Sequence, residues 1–402
     1  MRPAEAARAL LRPARARGLQ SAPTFDAQLE LARRGPSPLA PFSGDAEGPL
    51  RIAAVIPSFR RGSGGHTTIV NLLEAVRERG HEVSVWLEDC EGRHAREDPH
   101  ATLRSFREFY GTEHLELRRD LRDWDGADVA LATGWQTVAR VLRLDRVSAR
   151  AYLVQDHEPE FYGTSAEALW ARETYGQGLH CVAASAWLAD LLRERYGARA
   201  THFDLAVDHA RYGPDGDLLS NAATGRREDL VLFYARAITP RRAVPLGLLA
   251  LAELHRRRPE VEIVLYGEDR PLAVPFAHRN LGVLGAGELA ALYREAAVGM
   301  VLSLTNPSLV ALEMMACGLP CVELASDSML ASFGPDGPLA LAKPDPIALC
   351  SELERLLATP DRRAAAAEQG LALMARRTWE RAGGDLESGL RAALGTDAGS
   401  AR

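Results

Sequence analysis

From Arg51 onward the chain alternates short apolar runs with segments of helical period, and this alternation constrains the fold more than any other feature. RIAAVIP (51–57) is followed by the Gly-rich SFRRGSGGHTT, the amphipathic IVNLLEAVRERGH and a second run, EVSVWLE (82–88). Apolar runs joined by helices are the pattern of a parallel α/β sheet. It continues through ADVALATGW, RAYLVQD, GLHCVAAS and ATHFDLAV, the later strands of one doubly wound domain. After the polar stretch GPDGDLLSNAATGRRED it begins again: DLVLFYA, a loop with Arg236 and Arg241, the helix PLGLLALAELHRRR, then VEIVLYG, NLGVLG, ELAALYREA, VGMVLSL and PCVELA. Two such domains in tandem bind ligands at the carboxyl ends of their strands, so the expected site is a central cleft between them.

The expected organisation is a helical extension and linker over 1–50, a first Rossmann-like domain over 51–212, a linker over 213–229, a second Rossmann-like domain over 230–380 and a closing helix and tail over 381–402. Arg12, Arg15 and Arg17 make the first twenty residues basic, but so small a cluster does not anchor a chain to a membrane unaided. The net charge of −6 carries no basic footprint and speaks against nucleic-acid binding. Five cysteines, scattered through apolar segments away from paired histidines, fit a reducing compartment rather than a zinc site. No apolar run approaches the roughly 18 residues of a membrane span, and no signal-peptide core is visible. The expected location is cytoplasmic, with any membrane contact peripheral, at the inner face. Lys343 is the sole lysine, so a phosphate must be met by arginine or by backbone N–H groups.

Within SLTNPSLVALEMMACGLPCVE (303–323), the span Ser308–Cys317 reads as a buried helix in which Glu313 is the one carboxylate. An unpaired carboxylate there costs several kcal/mol, so Glu313 needs a partner. Asn306 is suited to cap the helix and Pro307 to be its first residue, leaving N–H groups near Ser308 and Leu309 open to an anion. Gly64 and Gly65, between the first strand and helix, let backbone approach a ligand or merely form a turn; the motif is not GxGxxG, so a dinucleotide cofactor is not expected. QDHEP presents Asp156, His157 and Glu158 at the carboxyl end of a strand, where they either act on a ligand or serve as a capping Asp and an exposed His. The DWD at 123–125 precedes its strand, away from the binding ends, and reads as a solvated loop; metal-free chemistry is expected.

In order from Arg51 to about Trp379, the GSGGH loop, ASAWLADLLRERYG, VDHARYGP, FYARAITPRR, VLYGED, NLGVLGAGELAALYREA and NPSLVALEMMACGLPCVE resemble the GT-B glycosyltransferases, specifically the large retaining group that uses nucleotide sugars. YLVQDHEPEFY and ATGWQTV look like bacterial rhamnosyltransferases of surface-polysaccharide assembly. The resemblance implies a GT-B fold and transfer of a sugar, rhamnose from a dTDP donor, to a saccharide or lipid-linked acceptor with retention, the nucleotide sugar being substrate and no cofactor being needed. It further implies that Glu313 receives the ribose hydroxyls, that Arg236 and Arg241 face the diphosphate with Arg242 able to replace Arg241, and that Ser308 and Leu309 offer N–H groups. Tyr266, Gly267 and Glu268 would line the nucleotide pocket, with the backbone from Val283 and Leu284 to Gly285 near the base. Gly64, Gly65, Trp135 and Asp156 would meet the acceptor, and Asp156 and His157 would join the chemistry. Where the family often has a second carboxylate, eight residues before Glu313, this chain has Thr305, which supplies a hydrogen bond but no charge. That departure keeps two other readings open: a noncatalytic nucleotide-sugar-binding subunit and a nucleotide-sugar epimerase of similar fold.

Overall fold

The computed structural model describes residues 22–119, 123–214 and 226–400. The basic stretch 1–21 and most of the expected linker, 215–225, lie outside the described residues. A helix at Ala22–Arg34 opens the described chain. Seven parallel strands follow: β1 (Arg51–Pro57), β2 (Glu82–Glu88), β3 (Glu116–Arg118), β4 (Ala127–Ala132), β5 (Val147–Val154), β6 (His180–Ala183) and β7 (Ala200–His202), in the order β3-β2-β1-β4-β5-β6-β7. The second sheet has six: β8 (Arg227–Tyr234), β9 (Glu262–Tyr266), β10 (Arg279–Asn280), β11 (Ala296–Met300), β12 (Cys321–Leu324) and β13 (Leu339–Ala342), in the order β10-β9-β8-β11-β12-β13. In both sheets the order reverses beside the first strand, at β1/β4 and β8/β11. Such a reversal opens the crevice in which ligands of this architecture sit.

The apolar runs form central strands because both their faces are covered. Ile52, Val55 and Ile56 of β1 are fully buried, and each such side chain contributes roughly 1.5–3 kcal/mol relative to exposure. Three expectations need correction. The second sheet starts at Arg227, inside the stretch read as linker, because its polar residues are recruited by the sheet: Arg226 donates to the carbonyls of Tyr293, Ala296 and Cys317, and Arg227 pairs with Glu262. NLGVLG yields only the two-residue β10, since Gly282 turns left-handed at φ 65° and ends the pairing. ATHFDLAV shortens to Ala200–His202, the remainder becoming the crossing to the second domain.

The chain crosses between the sheets twice. The outward crossing follows β7, and the return is made at Arg377, whose guanidinium pairs with Asp204 at 2.5 Å and whose carbonyl accepts from Val207 N–H at 3.4 Å. The final helix, Trp379–Ser400, then lies on the first domain against the helix Gly64–Glu78 and strands β5 and β6. Gly383 permits this approach: a Cβ there would stand 2.6 Å from the Ala75 Cβ.

Candidate active site

The carboxyl ends of the two sheets face each other, and Asn306 joins them. It lies in the loop between β11 and the helix Leu309–Ala316, only 1% exposed, so its amide must be paired within the protein. Its side chain donates to the carbonyls of Gln155 and Ala184 at 3.0 and 3.1 Å and accepts from Ser185 Oγ at 3.0 Å; its backbone N–H donates to Asp156 Oδ1 at 3.0 Å. An amide is the side chain that combines two donors with an acceptor in this way. The expectation that Asn306 caps the helix is therefore corrected. Ser308 is the cap, its Oγ accepting from Val310 N–H at 3.3 Å, and Pro307 stands before the helix rather than within it.

The arginines of the loop after β8 divide into two kinds. Arg236 reaches across to the first domain and donates to the Gly62 carbonyl at 3.2 Å. Arg241 also crosses: its Nε lies 3.2 Å from Asp156 Oδ2, and its guanidinium sits over the Phe161 ring, 4.3 Å from its centre. Arg242 instead points inward, donating to Ser303 Oγ at 2.6 Å, and burial lowers its pKa. It braces the loop from beneath and is not placed to replace Arg241. Below it lies Glu323, a wholly buried carboxyl on β12 that accepts from Ser303 N–H at 2.7 Å and is pushed up to about 8 by burial, against the pull of the Leu324 and Ser303 N–H groups and of Arg242. Sequence reading passed over Glu323, since one acid in a four-residue strand looks like an outward-facing position.

On the first domain the structure separates the three residues of QDHEP that the sequence grouped. Asp156 is the interdomain contact. His157 is 2% exposed, its Nε2 2.7 Å from Tyr196 OH and its Nδ1 2.9 Å from Glu160; neither the exposed role nor a reach into the cleft fits this placement. Glu158 turns beneath the sheet end, where its Oε2 accepts from Trp135 N–H at 2.7 Å and Tyr152 OH at 2.8 Å. That carboxylate caps the helix Trp135–Arg143, whose N-cap Gly134 has no side chain to do so, and burial pushes it up to about 7. Trp135, expected to meet the acceptor, is 1% exposed and donates from Nε1 to Tyr162 OH at 3.1 Å: it is a core residue here.

Gly64 and Gly65 begin the helix Gly64–Glu78 behind the cap Ser63, and the left-handed residue of the loop is Gly62, at φ 71°. A Cβ on Gly64 would lie 3.8 Å from the Leu309 side chain, and one on Gly65 would lie 3.6 Å from Gln155. The Gly-rich loop thus faces the start of the helix Leu309–Ala316 directly. Arg236, bound to Gly62, and Arg241, sharing Asp156 with Asn306, are each tied to residues that neighbour the same helix start.

Further into the second domain, Glu313 lies beside Tyr212. Burial pushes its carboxyl up to about 8, with the Tyr212 hydroxyl pulling the other way. Tyr212 stacks on Tyr293 at 6.2 Å, and Tyr293 OH meets Tyr266 OH at 3.2 Å. Tyr266 is buried and forms the wall behind Glu313, whereas Glu268 is half-buried and Val283 is 46% exposed at the rim. The N–H groups of Val283 and Gly285, on either side of the half-buried Leu284, are engaged by Asp269 at 2.9 Å and Glu288 at 2.8 Å. Thr305, 3% exposed, keeps a buried Oγ1 without a hydrogen-bond partner among the described residues. A buried hydroxyl in that condition costs roughly 1–3 kcal/mol, which a ligand acceptor or donor would recover.

Gly267 fixes the edge of this pocket. Its φ of 94° disfavours a side chain, and a Cβ would stand 2.5 Å from the Tyr234 ring. Gly267→Ala should destabilise the second domain by about 2–4 kcal/mol, seen as a lower urea midpoint; an unchanged midpoint would show that the loop relaxes without cost.

Away from the cleft, Asp125 of the DWD stretch pairs with Arg51 at 3.2 Å, at the amino end of the first sheet.

Residues 229–353 match the family described as WsaF, C-terminal domain. Over 273 residues, 66% of the chain, the sequence is 32% identical to the O-antigen biosynthesis protein RfbC of Myxococcus xanthus, and the match spans about a fifth (21%) of that protein's length. Among solved structures, a sucrose-phosphate synthase from Thermosynechococcus elongatus superposes with a TM-score of 0.63 at 18% identity, covering 86% of this chain and 99% of that one. HepE of Anabaena in complex with UDP-glucose gives 0.60 at 14% identity, covering 86% and 100%. WaaG, a glycosyltransferase involved in lipopolysaccharide biosynthesis, gives 0.55 at 16%, covering 84% and 99%. The fold is that of the GT-B glycosyltransferases.

Proposed function

We propose that the chain is a glycosyltransferase that moves a sugar from a nucleoside-diphosphate donor onto a saccharide or lipid-linked acceptor in surface-glycan assembly. The observation that carries the reading is that Arg236 and Arg241 are each tied to residues that neighbour one helix start, at Ser308 and Leu309, in the cleft of a GT-B fold. Backbone N–H groups and two guanidiniums around one point suit a diphosphate. The UDP-glucose bound by HepE supports the donor class, and the O-antigen role in the name of RfbC supports the glycan setting.

In this reading the bond between the anomeric carbon and the diphosphate oxygen breaks early, and charge accumulates on the departing diphosphate. Arg236, Arg241 and the helix N–H groups stabilise that charge without a metal ion. Glu313 accepts from the ribose hydroxyls. Thr305 offers its unpaired hydroxyl to the sugar, and since it brings no charge, the leaving diphosphate itself is the anion nearest the forming cation. Rhamnose from dTDP is supported by the likeness of YLVQDHEPEFY and ATGWQTV to rhamnosyltransferases, and retention of configuration by the resemblance to the large retaining group of GT-B enzymes. The neutral Thr305 also favours a second reading, a noncatalytic nucleotide-sugar-binding subunit.

A thermal-shift series with dTDP, UDP and their sugars tests the donor. A ligand at about 100 times its Kd adds roughly 2.7 kcal/mol to stability. The expected order places dTDP-rhamnose above dTDP and UDP-sugars below both; no shift with any nucleoside diphosphate would remove the donor site.

A further inference from the structure

We propose that Asp156 is the internal counter-anion of the donor site: its carboxylate holds the position on Arg241 that a donor's diphosphate takes, so that a ligand bearing a diphosphate binds only by displacing it. The inference rests on the proposed donor reading and adds to it a residue, on the opposite domain, that competes with the diphosphate for Arg241.

Three features of the geometry carry it. Asp156 and Arg241 belong to different sheets, yet Oδ2 lies 3.2 Å from Nε, and the guanidinium sits over the Phe161 ring, 4.3 Å from its centre. The two carboxylate oxygens have separate tasks. Oδ1 accepts from the N–H groups of Asn306 at 3.0 Å and His157 at 2.9 Å, while Oδ2 faces Arg241. The Asn306 side chain is tied independently to Gln155, Ala184 and Ser185. Releasing Arg241 therefore leaves the Asn306 tie in place.

A carboxylate and a phosphate oxygen make the same demand on a guanidinium, so a diphosphate takes over Arg241 with that charge still paired. Asp156 keeps its two N–H donors throughout, and Arg241 passes from one anion to another. The contact then acts as a conformational tax on binding. Every ligand that uses Arg241 is weakened by the fraction of molecules in which Asp156 already holds it, and a ligand that does not reach Arg241 is unaffected.

The test compares dTDP with thymidine on the wild type and on Asp156→Asn, by calorimetry. Asparagine keeps the shape and an oxygen for the N–H groups of Asn306 and His157, but removes the charge opposite Arg241. The variant should bind dTDP about tenfold more tightly, with thymidine affinity unchanged, and the gain should vanish when Arg241→Ala is added. Hydrogen exchange on the wild type supplies a second readout that needs no variant. Saturating dTDP should raise exchange in the segment Glu158–Phe161 as Arg241 leaves it, and thymidine should not. Unchanged or weaker dTDP binding by Asp156→Asn, or protection of 158–161 by dTDP, overturns the inference alone. Failure of wild type and variant alike to bind dTDP or UDP overturns the donor reading, and the inference with it.

Discussion

Turnover falls by roughly 2–3 orders of magnitude in Arg241→Ala, and by a similar factor in Arg236→Ala, while the fold survives both changes. Each removes a guanidinium from the place where charge develops on the leaving diphosphate. In low dielectric such a contact is worth far more in the transition state than in the bound ground state. Arg241→Ala also frees Asp156 Oδ2, but Oδ1 retains its two N–H donors and Asn306 its side-chain ties, so the domains stay joined. Arg241→Lys separates charge from geometry: it keeps the cation and loses the planar fork that meets a phosphate, and its rate should lie between those of the wild type and Arg241→Ala. Steady-state rates with donor at saturation are the measurement. Unaltered turnover in both alanine variants and in the double variant removes the pair from the mechanism.

Nucleotide affinity rises with pH, by up to about tenfold per unit, and levels off near pH 8. The cause is Glu313. Burial holds its carboxyl at about 8, well above the ordinary 4.5, so it is mostly protonated at neutral pH. Two ribose hydroxyls donating to the carboxylate favour its charged form, so its pKa drops on binding and a proton is released. The sign for stability is the opposite of that for binding. A carboxyl raised on folding supports the fold below its unfolded pKa, and that support is lost as pH rises through about 8. Calorimetry of dTDP binding from pH 6 to 9, in buffers of different ionisation enthalpy, reads both the affinity and the proton. Glu313→Gln should abolish the slope and raise the donor KM more than it lowers kcat. Affinity independent of pH in the wild type, with no proton exchanged, contradicts the assignment of Glu313 to ribose.

The parts of the fold visible in the sequence are those where periodicity reports burial. RIAAVIP and EVSVWLE become β1 and β2 with unchanged limits, because their buried portions, Ile52 to Ile56 and Val85 to Leu87, are continuous apolar runs. Glu116–Arg118 and Leu339–Ala342 escaped notice: each is a short edge strand, and neither ELR nor LALA contains a β-branched residue. The site was legible by residue type and less so by orientation. Arg236 and Arg241 reach across to the first domain, and Glu313 lies beside Tyr212. Sequence spacing could not show that Trp135 and His157 turn into the first domain, or that Asn306 leaves its own helix to bind across the cleft. Both outcomes depend on what the opposing sheet presents. Glu158 was grouped with Asp156 and His157 at the strand end, and Glu323 was passed over, for a related reason: an acid beside a strand end does not show in sequence the N–H groups that the tertiary fold supplies to hold it.

The central claim is sugar transfer, and product analysis tests it most directly. The protein is incubated with dTDP-rhamnose and chelator, with and without a panel of lipid-linked saccharides, and the nucleotide and sugar products are separated. The account predicts dTDP release that depends on an acceptor, with rhamnose gained by that acceptor and no loss of rate to the chelator. Binding without any dTDP release across the panel, or a changed sugar nucleotide formed without acceptor, would contradict it.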